Sequence, residues 1–177
     1  AILVKLSSPG SVFYIQKRVG RNYKEFGCIK FRTMYKDADD LLPNLLEKYP
    51  LMRKEFEKDF KLRQDPRITK LGRFLRRSSL DELPQFFNVL KGEMSVVGPR
   101  PIVSNEIIKY SLFMEEIISV RPGLTGLWQV SGRNNLSYKK RVELDLFYAR
   151  NRNFLLDLEI IILTLGVLLF PMDRGAF

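Results

Sequence analysis

The sequence predicts an α+β fold that is mostly helical, with one small β-hairpin near its N-terminus. Two β-prone runs, residues 12–15 and 26–33, flank a stretch of turn-forming residues, as in a hairpin. Most of the remaining chain repeats its apolar residues every three or four positions, which is the helical period. A chain of 177 residues with 45% hydrophobic residues can bury one core, and no linker or internal repeat divides it. We therefore predict a single domain over residues 1–177.

The composition favours some classes of function and excludes others. The chain has 30 Lys and Arg against 20 Asp and Glu, a net charge of +10, which favours nucleic acid, an anionic membrane surface or nucleotide sugars as partners. It has no histidine, which excludes Ser-His triads and histidine-based metal sites. Cys28 is the only cysteine, so there is no intrachain disulfide and no thiolate activated by imidazole. A carboxylate, ionised at neutral pH, remains the candidate for covalent catalysis.

Residues 36–63 are predicted to form a pair of amphipathic helices. Apolar residues recur at helical steps among mixed charges, and Pro43 and Pro50 are expected to break the segment. It carries no candidate site residue. We interpret it as an elaboration of the fold that serves as a lid or as the contact of a homodimer.

Residues 76–101 concentrate the candidate catalytic groups. Four apolar residues have the spacing of a buried helix face: Leu83, Phe86, Phe87 and Leu90. We therefore predict a short helix that begins at Asp81 and stops near Gly92. Asp81 and Glu82 would lie at the positive end of its dipole, which favours their charged forms. Taken alone, the stretch from Ser79 to Glu82 is more typical of a helix cap, such as a capping box, and only its context favours a catalytic site.

Cations lie on both sides of these carboxylates. Upstream are Arg73, Arg76 and Arg77, and downstream is Pro99-Arg100-Pro101, whose prolines restrict the arginine backbone. Fixed cations beside adjacent carboxylates indicate a phosphate-bearing substrate and a divalent metal.

At this point the pattern resembles a known family. Residues 79–101, SLDELPQFFNVLKGEMSVVGPRP, closely resemble the signature of the bacterial sugar transferases, monotopic phosphoglycosyl transferases that start glycan assembly on a polyprenyl phosphate carrier. Further blocks follow in the family's order at residues 13–20, 30–34, 65–69, 121–126 and 129–133.

The resemblance implies a reaction and roles for named residues. Asp81 would attack the β-phosphorus of a UDP-sugar, expel UMP and carry the phosphosugar until undecaprenyl phosphate accepts it. Glu82 would help to hold Mg²⁺, although two adjacent carboxylates leave their catalytic and metal-binding roles interchangeable. The residues implied in substrate binding are Arg77 on the phosphoryl oxygens, Pro99, Arg100 and Pro101 on the uridine, and Lys30 near the active site.

Residues 121–136 are predicted to form a polar loop beside the site. Gln129 and Arg133 are candidates to bind the nucleotide or the sugar, whereas Trp128 is equally well explained by packing between helices. A helix is predicted from Tyr138 to about Asn151, and Asp145 in it is either a structural acid or a group behind the site.

Three helical or membrane-related features complete the prediction. Residues 105–120 are expected to form a scaffold helix. Residues 155–170 are strongly apolar but too short to span a bilayer, so we expect them to lie on the membrane or to pack beneath another segment. Family members carry a re-entrant membrane helix before this region, so we expect the chain to be the C-terminal catalytic part of a longer protein.

The resemblance also gives a location and rival functions. The enzyme would lie at the bacterial inner membrane with its catalytic domain on the cytoplasmic face, and would serve O-antigen, capsule or exopolysaccharide synthesis. Galactose 1-phosphate is the preferred sugar, with glucose 1-phosphate or an N-acetylated sugar 1-phosphate as alternatives. No nucleic-acid partner is expected, because most aromatic residues sit at core spacing. A non-catalytic scaffold is disfavoured by the intact Asp81, Glu82 and Arg100.

Overall fold

A computed structural model of the chain describes residues 1–59, 62, 64–132 and 135–169. These residues form two compact units. The first consists of Ala1–Tyr14 and Phe31–Asp81, and the second of Ile15–Lys30 and the described residues from Glu82 onward. Helices predominate in both units, so the α+β prediction with a small N-terminal hairpin is confirmed. The single catalytic domain over residues 1–177 stays a prediction.

The predicted hairpin is present. Its strands are β1 (Phe13–Val19) and β2 (Glu25–Phe31). The turn between them holds Asn22 and Tyr23 at φ values of +53° and +60°. Positive φ at consecutive turn residues is common in hairpins because it matches the twist of the flanking strands.

Four helices belong to the first unit: α1 (Ile2–Ser7), α2 (Ala38–Lys48), α3 (Pro50–Asp59) and α4 (Lys70–Arg77). The break predicted at Pro50 is confirmed, because α3 begins there. The break predicted at Pro43 is wrong, because this proline removes only one backbone hydrogen bond and α2 continues through it. Thr69 caps α4 by accepting the Gly72 amide hydrogen bond at 2.8 Å.

The stretch after α4 folds as a 3₁₀ helix, Leu80–Gln85, followed by α5 (Phe86–Leu90). The single helix predicted from Asp81 is therefore wrong in type over its first half, although it stops near Gly92 as expected. The predicted burial is also wrong. The four expected core residues are exposed, Leu83 by 48%, Phe86 by 45%, Phe87 by 57% and Leu90 by 84%.

Asn88 explains this inversion. It is fully buried, its Oδ1 accepts the Ile29 amide at 3.1 Å, and its Nδ2 donates to the Gly27 carbonyl at 2.8 Å and to Glu93 Oε2 at 2.7 Å. A buried amide needs such partners, and β2 supplies two of them. The polar side of α5 therefore faces the hairpin, and its apolar side faces outward.

A short parallel sheet was not predicted. It pairs β3 (Ser95–Val97) with β4 (Gly123–Thr125), with Ser95 opposite Gly123 and Val97 opposite Thr125. The backbones of Gly98 and Gly123 lie so close that a Cβ on Gly123 would overlap the Gly98 nitrogen. α8 (Leu127–Ser131) follows directly, so part of the expected polar loop is regular structure.

The expected scaffold helix over residues 105–120 is broken into short pieces. These are a 3₁₀ turn at Ser104–Glu106, α6 (Ile107–Tyr110), a second turn at Ser111–Phe113 and α7 (Met114–Ile118). The next helix, α9 (Tyr138–Asn151), has its predicted bounds, and Ser137 caps it by accepting the Lys140 amide at 3.3 Å. The largest core cluster joins these elements to β1 and consists of Val19, Ile102, Tyr110, Met114, Ile117, Ile118, Val142 and Leu146.

α10 (Phe154–Leu169) packs one side against the β3–β4 sheet and α8. Ile160 is fully buried there beside Val97 and Tyr148. The outer side is apolar and exposed at Phe154, Leu155, Ile162 and Leu169, among others. None of the helices in the described ranges is long and apolar enough to cross a membrane.

Candidate active site

Asp81 is the last residue of the first unit and is 9% exposed. Arg76 of α4 interacts with it electrostatically. Burial lowers the pKa of the Arg76 guanidinium, while the charges of Asp81 and Asp65 act to raise it. The predicted phosphate clamp, Arg77, is exposed at the end of α4, and its role stays a prediction. Arg76, which is half-buried, is thus a cation of this unit that acts on Asp81.

Glu82 lies in the second unit. Lys30 of β2, in the same unit, donates a hydrogen bond to Glu82 Oε1 at 2.5 Å. Its side chain is 33% exposed and that of Lys30 is 21% exposed. Burial acts to raise the pKa of Glu82, but the charge and hydrogen bond of Lys30, with the charges of Arg100 and Arg18, lower it overall. Glu82 is therefore ionised at neutral pH, and the predicted site residue Lys30 is its direct partner.

Positive charge exceeds negative charge around Glu82. Arg18, Lys30 and Arg100 all act on it, and the further carboxylate of Glu106 lies 3.9 Å from Arg18. Arg18 is only 8% exposed, so it is a buried cation of the hairpin. Burial lowers the pKa of Arg18, and repulsion from Arg100 lowers it further. Three cations near two carboxylates leave a net attraction for a phosphate-bearing ligand.

The Pro99-Arg100-Pro101 turn is held through its backbone. The Pro99 carbonyl accepts the Gly123 amide at 2.8 Å, and the Pro101 carbonyl accepts Arg18 Nη1 at 2.9 Å. Both prolines are buried, and the Arg100 side chain is partly exposed. The turn therefore presents one cationic side chain from a fixed main chain.

Two guanidinium groups lie near the ring of Trp128. Its ring centre is 5.8 Å from Cζ of Arg100 and 5.0 Å from Cζ of Arg141, distances at which a cation is attracted to an aromatic face. Trp128 is 5% exposed, in agreement with the packing interpretation. Its Nε1 is buried without a hydrogen-bond partner among the described residues.

Asp145 of α9 is buried, with 1% of its surface exposed. Tyr110 donates its hydroxyl hydrogen bond to Asp145 Oδ2 at 3.2 Å. Burial raises the pKa of Asp145 to about 8, although the Tyr110 hydrogen bond and the backbone and charge of Arg100 act to lower it. Asp145 thus interacts electrostatically with the predicted site residue Arg100.

Two predicted binding residues are not tested by this geometry. Gln129 Nε2 donates to the Leu124 carbonyl at 3.3 Å, which ties α8 to β4. Its Oε1 is buried and lacks a partner within the described ranges. Arg133 lies outside the described residues, so its predicted contact with substrate stays a prediction.

The carboxylates of Asp81 and Glu82 fit Mg²⁺ in one respect, which is the small number of protein ligands that this ion needs. Over the described ranges, no three His, Cys, Asp or Glu side chains come together as a metal cage. Mg²⁺ usually takes only one or two carboxylates and completes its octahedron with waters and substrate phosphates. Asp81 and Glu82 are consecutive carboxylates, so they suit a Mg²⁺ ion that arrives with a diphosphate.

Sequence reasoning assigned no site role to the buried residues Arg18 and Asn88, and it left open whether Asp145 is a structural acid or a group behind the site. Asn88 stands between Phe87 and Val89, and Asp145 between Leu144 and Leu146. A polar residue enclosed by apolar neighbours in a short helix was the available signal, because burial of such a group requires bonded partners. Arg18 gave no comparable signal, since Lys17 beside it is equally charged.

Comparison with known proteins shows the family. A model of the family described as bacterial sugar transferase matches residues 1–171. The undecaprenyl-phosphate galactose phosphotransferase of Salmonella typhimurium is 51% identical over 160 residues, 90% of this chain and 34% of the relative. The exopolysaccharide production protein ExoY of Sinorhizobium fredii is 45% identical over 175 residues, 99% of this chain and 76% of the relative.

A third relative carries a different sugar in its name. The undecaprenyl-phosphate glucose phosphotransferase of Komagataeibacter xylinus is 42% identical over 188 residues, 100% of this chain and 32% of the relative. The chain thus spans about a third of the length of the Salmonella and Komagataeibacter proteins. With a family match that covers nearly all of its residues, this chain belongs to the bacterial sugar transferase family.

Proposed function

We propose that this chain catalyses the transfer of a sugar 1-phosphate from a UDP-sugar to undecaprenyl phosphate, with release of UMP. The observation that carries the proposal is the Asp81-Glu82 pair, in which Lys30, Arg100 and Arg18 keep Glu82 ionised. The surplus of cations around Glu82 supports a diphosphate as the ligand. The names of the Salmonella and Komagataeibacter relatives support the lipid phosphate as the acceptor.

In the proposed reaction, a carboxylate oxygen of Asp81 forms a bond to the β-phosphorus of the donor. The bond from that phosphorus to the bridging oxygen breaks, and UMP leaves with its electron pair. An oxygen of undecaprenyl phosphate then attacks the same phosphorus. This step breaks the acyl-phosphate bond, restores the Asp81 carboxylate and yields the lipid diphosphate sugar.

The other residues have supporting roles in this proposal. Glu82, with Asp81, would hold Mg²⁺, which supplies neutralisation of the diphosphate charge when bound. Lys30 and Arg100 attract the diphosphate, and Pro99 and Pro101 fix the backbone that presents Arg100. Arg77, Gln129 and Arg133 are proposed as further donor contacts.

For the sugar, we propose galactose 1-phosphate. The Salmonella relative, at 51% identity, is named for galactose and the Komagataeibacter relative, at 42%, for glucose. Glucose 1-phosphate and N-acetylated sugar 1-phosphates therefore stay as alternatives. No described residue has a contact that distinguishes the C4 epimers.

A membrane location is also part of the proposal. α10 exposes apolar side chains along its outer side, with Phe154 78% and Leu155 74% exposed, which supports a helix that lies on a lipid surface. A lipid-linked acceptor requires the active site to reach the bilayer. We propose the cytoplasmic face of the bacterial inner membrane, and retain the homodimer contact through residues 36–64 as part of the proposal.

The proposal is tested by UMP release in detergent or nanodiscs with Mg²⁺ and undecaprenyl phosphate. UDP-galactose, UDP-glucose and UDP-N-acetylglucosamine are offered in parallel. Turnover of one donor is expected, and Asp81→Asn should lower it by about 1000-fold or more because the nucleophile is lost. Glu115→Gln, at an exposed acid of α7, is the control and should retain activity.

A second measurement separates the covalent route from direct transfer. Donor labelled at the β-phosphorus is incubated without acceptor, and label is expected on the wild-type protein but not on Asp81→Asn. Turnover without labelled protein would contradict the covalent step. UMP release from none of the donors, by folded protein, would contradict the enzymatic function.

A further inference from the structure

One edge of β2 has no strand beside it among the described residues, because the sheet consists of β1 and β2. A single side chain bonds to the main chain of β2. Asn88 Oδ1 accepts the Ile29 amide at 3.1 Å, and Asn88 Nδ2 donates to the Gly27 carbonyl at 2.8 Å. In a strand, these two main-chain groups lie on the same edge, two residues apart. The carboxamide of Asn88 therefore bonds to β2 in the way that a residue of a neighbouring strand would.

Asn88 is also anchored on its own side. It is fully buried, its Nδ2 donates to Glu93 Oε2 at 2.7 Å, and its main-chain carbonyl accepts the amides of Glu93 and Met94 at 3.0 and 3.2 Å. Met94 is 1% exposed and belongs to one core cluster with Phe26 and Cys28 of β2. A shift of β2 along α5 would break the bonds of Asn88 and this packing together, so the register between the two elements is fixed.

The face of β2 that packs in this cluster also carries Lys30. Side chains two residues apart in a strand lie on one face, so Lys30 shares the face of Phe26 and Cys28. Its Nζ donates to Glu82 Oε1 at 2.5 Å, and Glu82 belongs to the 3₁₀ helix that leads into α5. The register that Asn88 fixes is thus the register that places the Lys30 ammonium beside the Glu82 carboxylate.

We propose that Asn88 is a positioning residue, which holds β2 in register with α5 and thereby keeps the Lys30 ammonium on the Glu82 carboxylate. Both N–H groups of its carboxamide are taken by Gly27 and Glu93, and the residue is fully buried, so it acts through Lys30 and not on a ligand. For its effect on sugar 1-phosphate transfer, this inference rests on the proposed function. The hold on Lys30 is a property of the ligand-free chain and is tested without a donor.

The variant that breaks the hold with the least change of shape is Asn88→Asp. It keeps an acceptor for the Ile29 amide, but it places a carboxylate oxygen against the Gly27 carbonyl and the Glu93 carboxylate, where two hydrogen bonds were. Glu93→Gln is the control, because it keeps an acceptor oxygen for Asn88 Nδ2 and leaves both bonds to β2 in place. Circular dichroism verifies folding. If Asn88→Asp does not fold, Asn88→Ser, which adds no charge, takes its place.

The first experiment measures the protection of Lys30 in the chain without ligand. Purified protein in detergent is treated with a limiting amount of acetic anhydride, and the acetylation of each lysine is followed by mass spectrometry. In the wild type, Lys30 should react about tenfold or more slowly than Lys24, an exposed lysine of the same hairpin, because its bond to Glu82 must break first. Asn88→Asp should bring Lys30 close to the rate of Lys24, whereas Glu93→Gln should keep the protection.

Two results of this experiment would overturn the inference. Equal reactivity of Lys30 and Lys24 in the wild type would mean that the contact with Glu82 does not form in solution. Full protection of Lys30 in the folded Asn88 variant would mean that Asn88 does not hold it.

The second experiment separates positioning from general stability. The kcat/KM for UMP release from UDP-galactose is measured for Asn88→Asp in the wild-type and Lys30→Met backgrounds. The loss should be about tenfold or more in the wild type but less than about twofold in Lys30→Met, where the contact that Asn88 positions is already gone. An equal loss in both backgrounds would contradict the positioning role. If Lys30→Met has no measurable turnover, the same comparison is made with the affinity for UDP-galactose.

A control for lost stability lies elsewhere in the same unit. Thr164 of α10 forms a hydrogen bond with Thr125 of β4 at 2.8 Å between their hydroxyl groups. Thr164→Val removes this bond, so it should lower the free energy of unfolding but keep both the protection of Lys30 and the activity. If the wild type shows the expected protection but releases UMP from none of the three UDP-sugars, the proposed function is wrong and the hold on Lys30 stands.

Discussion

Two buried arginines, one in each unit, keep a cation away from water in different ways. In the first unit, Arg67 is 7% exposed and binds Asp65 with both Nε, at 2.9 Å, and Nη2, at 2.7 Å. Its Nη1 donates to the Ala38 carbonyl at 3.2 Å. The positive charge of Arg67 is thus neutralised by a bidentate partner within the same turn.

In the second unit, Arg18 is 8% exposed but bonds to neutral acceptors. It donates to Gln16 Oε1 at 2.6 Å and to the Pro101 carbonyl at 2.9 Å, whereas the Glu106 carboxylate is 3.9 Å away. Its Nε has no hydrogen-bond partner among the described residues. Arg18 therefore keeps part of its charge available to the surroundings.

The comparison shows two roles for a buried guanidinium group, whose charge is costly to remove from water. A buried ion pair largely cancels its own field, as the opposing effects of Asp65 and Arg67 on the pKa of Arg76 illustrate, and it serves to fix a turn. A buried cation with neutral partners keeps its field, and in this chain that field reaches Glu82 and Arg100. We therefore predict that replacing Arg67 mainly lowers the free energy of unfolding, whereas replacing Arg18 also lowers the affinity for a UDP-sugar.

The largest effect is expected from Arg67→Ala. The variant leaves the Asp65 carboxylate buried without its partner, so the free energy of unfolding should fall by about 3–5 kcal/mol. Urea unfolding measures it. The double variant Asp65→Leu with Arg67→Met restores neutrality and should recover part of the loss. A loss below about 1 kcal/mol for the single variant would mean that the pair is not buried in solution.

A smaller stability effect is expected from Arg18→Met. It removes hydrogen bonds to neutral acceptors and relieves repulsion from Arg100, so the loss should be about 1.5–3 kcal/mol. UDP-sugar affinity should fall as well, since the turn and the field around Glu82 both change. Arg21→Met, an exposed arginine of the hairpin turn, is the control for loss of a positive charge. An unchanged affinity in folded Arg18→Met would contradict the functional half of the contrast.

Lys30→Met tests the partner that keeps Glu82 charged. Glu82 has a pKa below its usual value of about 4.3, so it adds stability above that pH and loses it as the pH falls through the folded value. Without Lys30, burial should raise the pKa, and the acid limb of the stability curve should move to higher pH. Unfolding is measured from about pH 3 to about pH 6. Lys24→Met, at an exposed lysine, should leave the curve unchanged.

The smallest effect is expected at an exposed arginine. Arg53 and Glu57 form a pair one helical turn apart on α3 at 2.9 Å, with both side chains more than 60% exposed. A double-mutant cycle with Arg53→Ala and Glu57→Ala should give a coupling of about 0.3–0.5 kcal/mol. A coupling as large as that of Arg67 and Asp65 would show that burial is not what distinguishes these pairs.

Local signals predicted much of the fold. Turn residues between two β-prone runs gave the hairpin, and Ser137 before a helical pattern gave α9 with its bounds. The inverted face of α5 was not predictable from periodicity, which assumes that apolar residues face the core. The burial of Asn88 depends on hydrogen bonds to β2, about 60 residues away in the chain, and no local pattern encodes them.

The site was predicted unevenly for the same reason. Lys30, Glu82 and Arg100 interact with one another, but the roles that the family resemblance implied for them stay predictions. The three-residue strands β3 and β4 were missed because such short strands leave no period-two pattern. Arg18 donates to the main-chain carbonyl of Pro101, beside Arg100, and a contact with a main-chain atom leaves no pattern in the side-chain sequence.

The inverted helix also sets an order of folding. α5 has five residues, and a helix this short is not stable alone, because helix nucleation is unfavourable. Its stabilising contacts through Asn88 are made with a strand that must already be part of a formed hairpin. We therefore expect the hairpin to form first and α5 to form late. The residues that follow the candidate catalytic carboxylates would then adopt their final geometry only after the hairpin is in place.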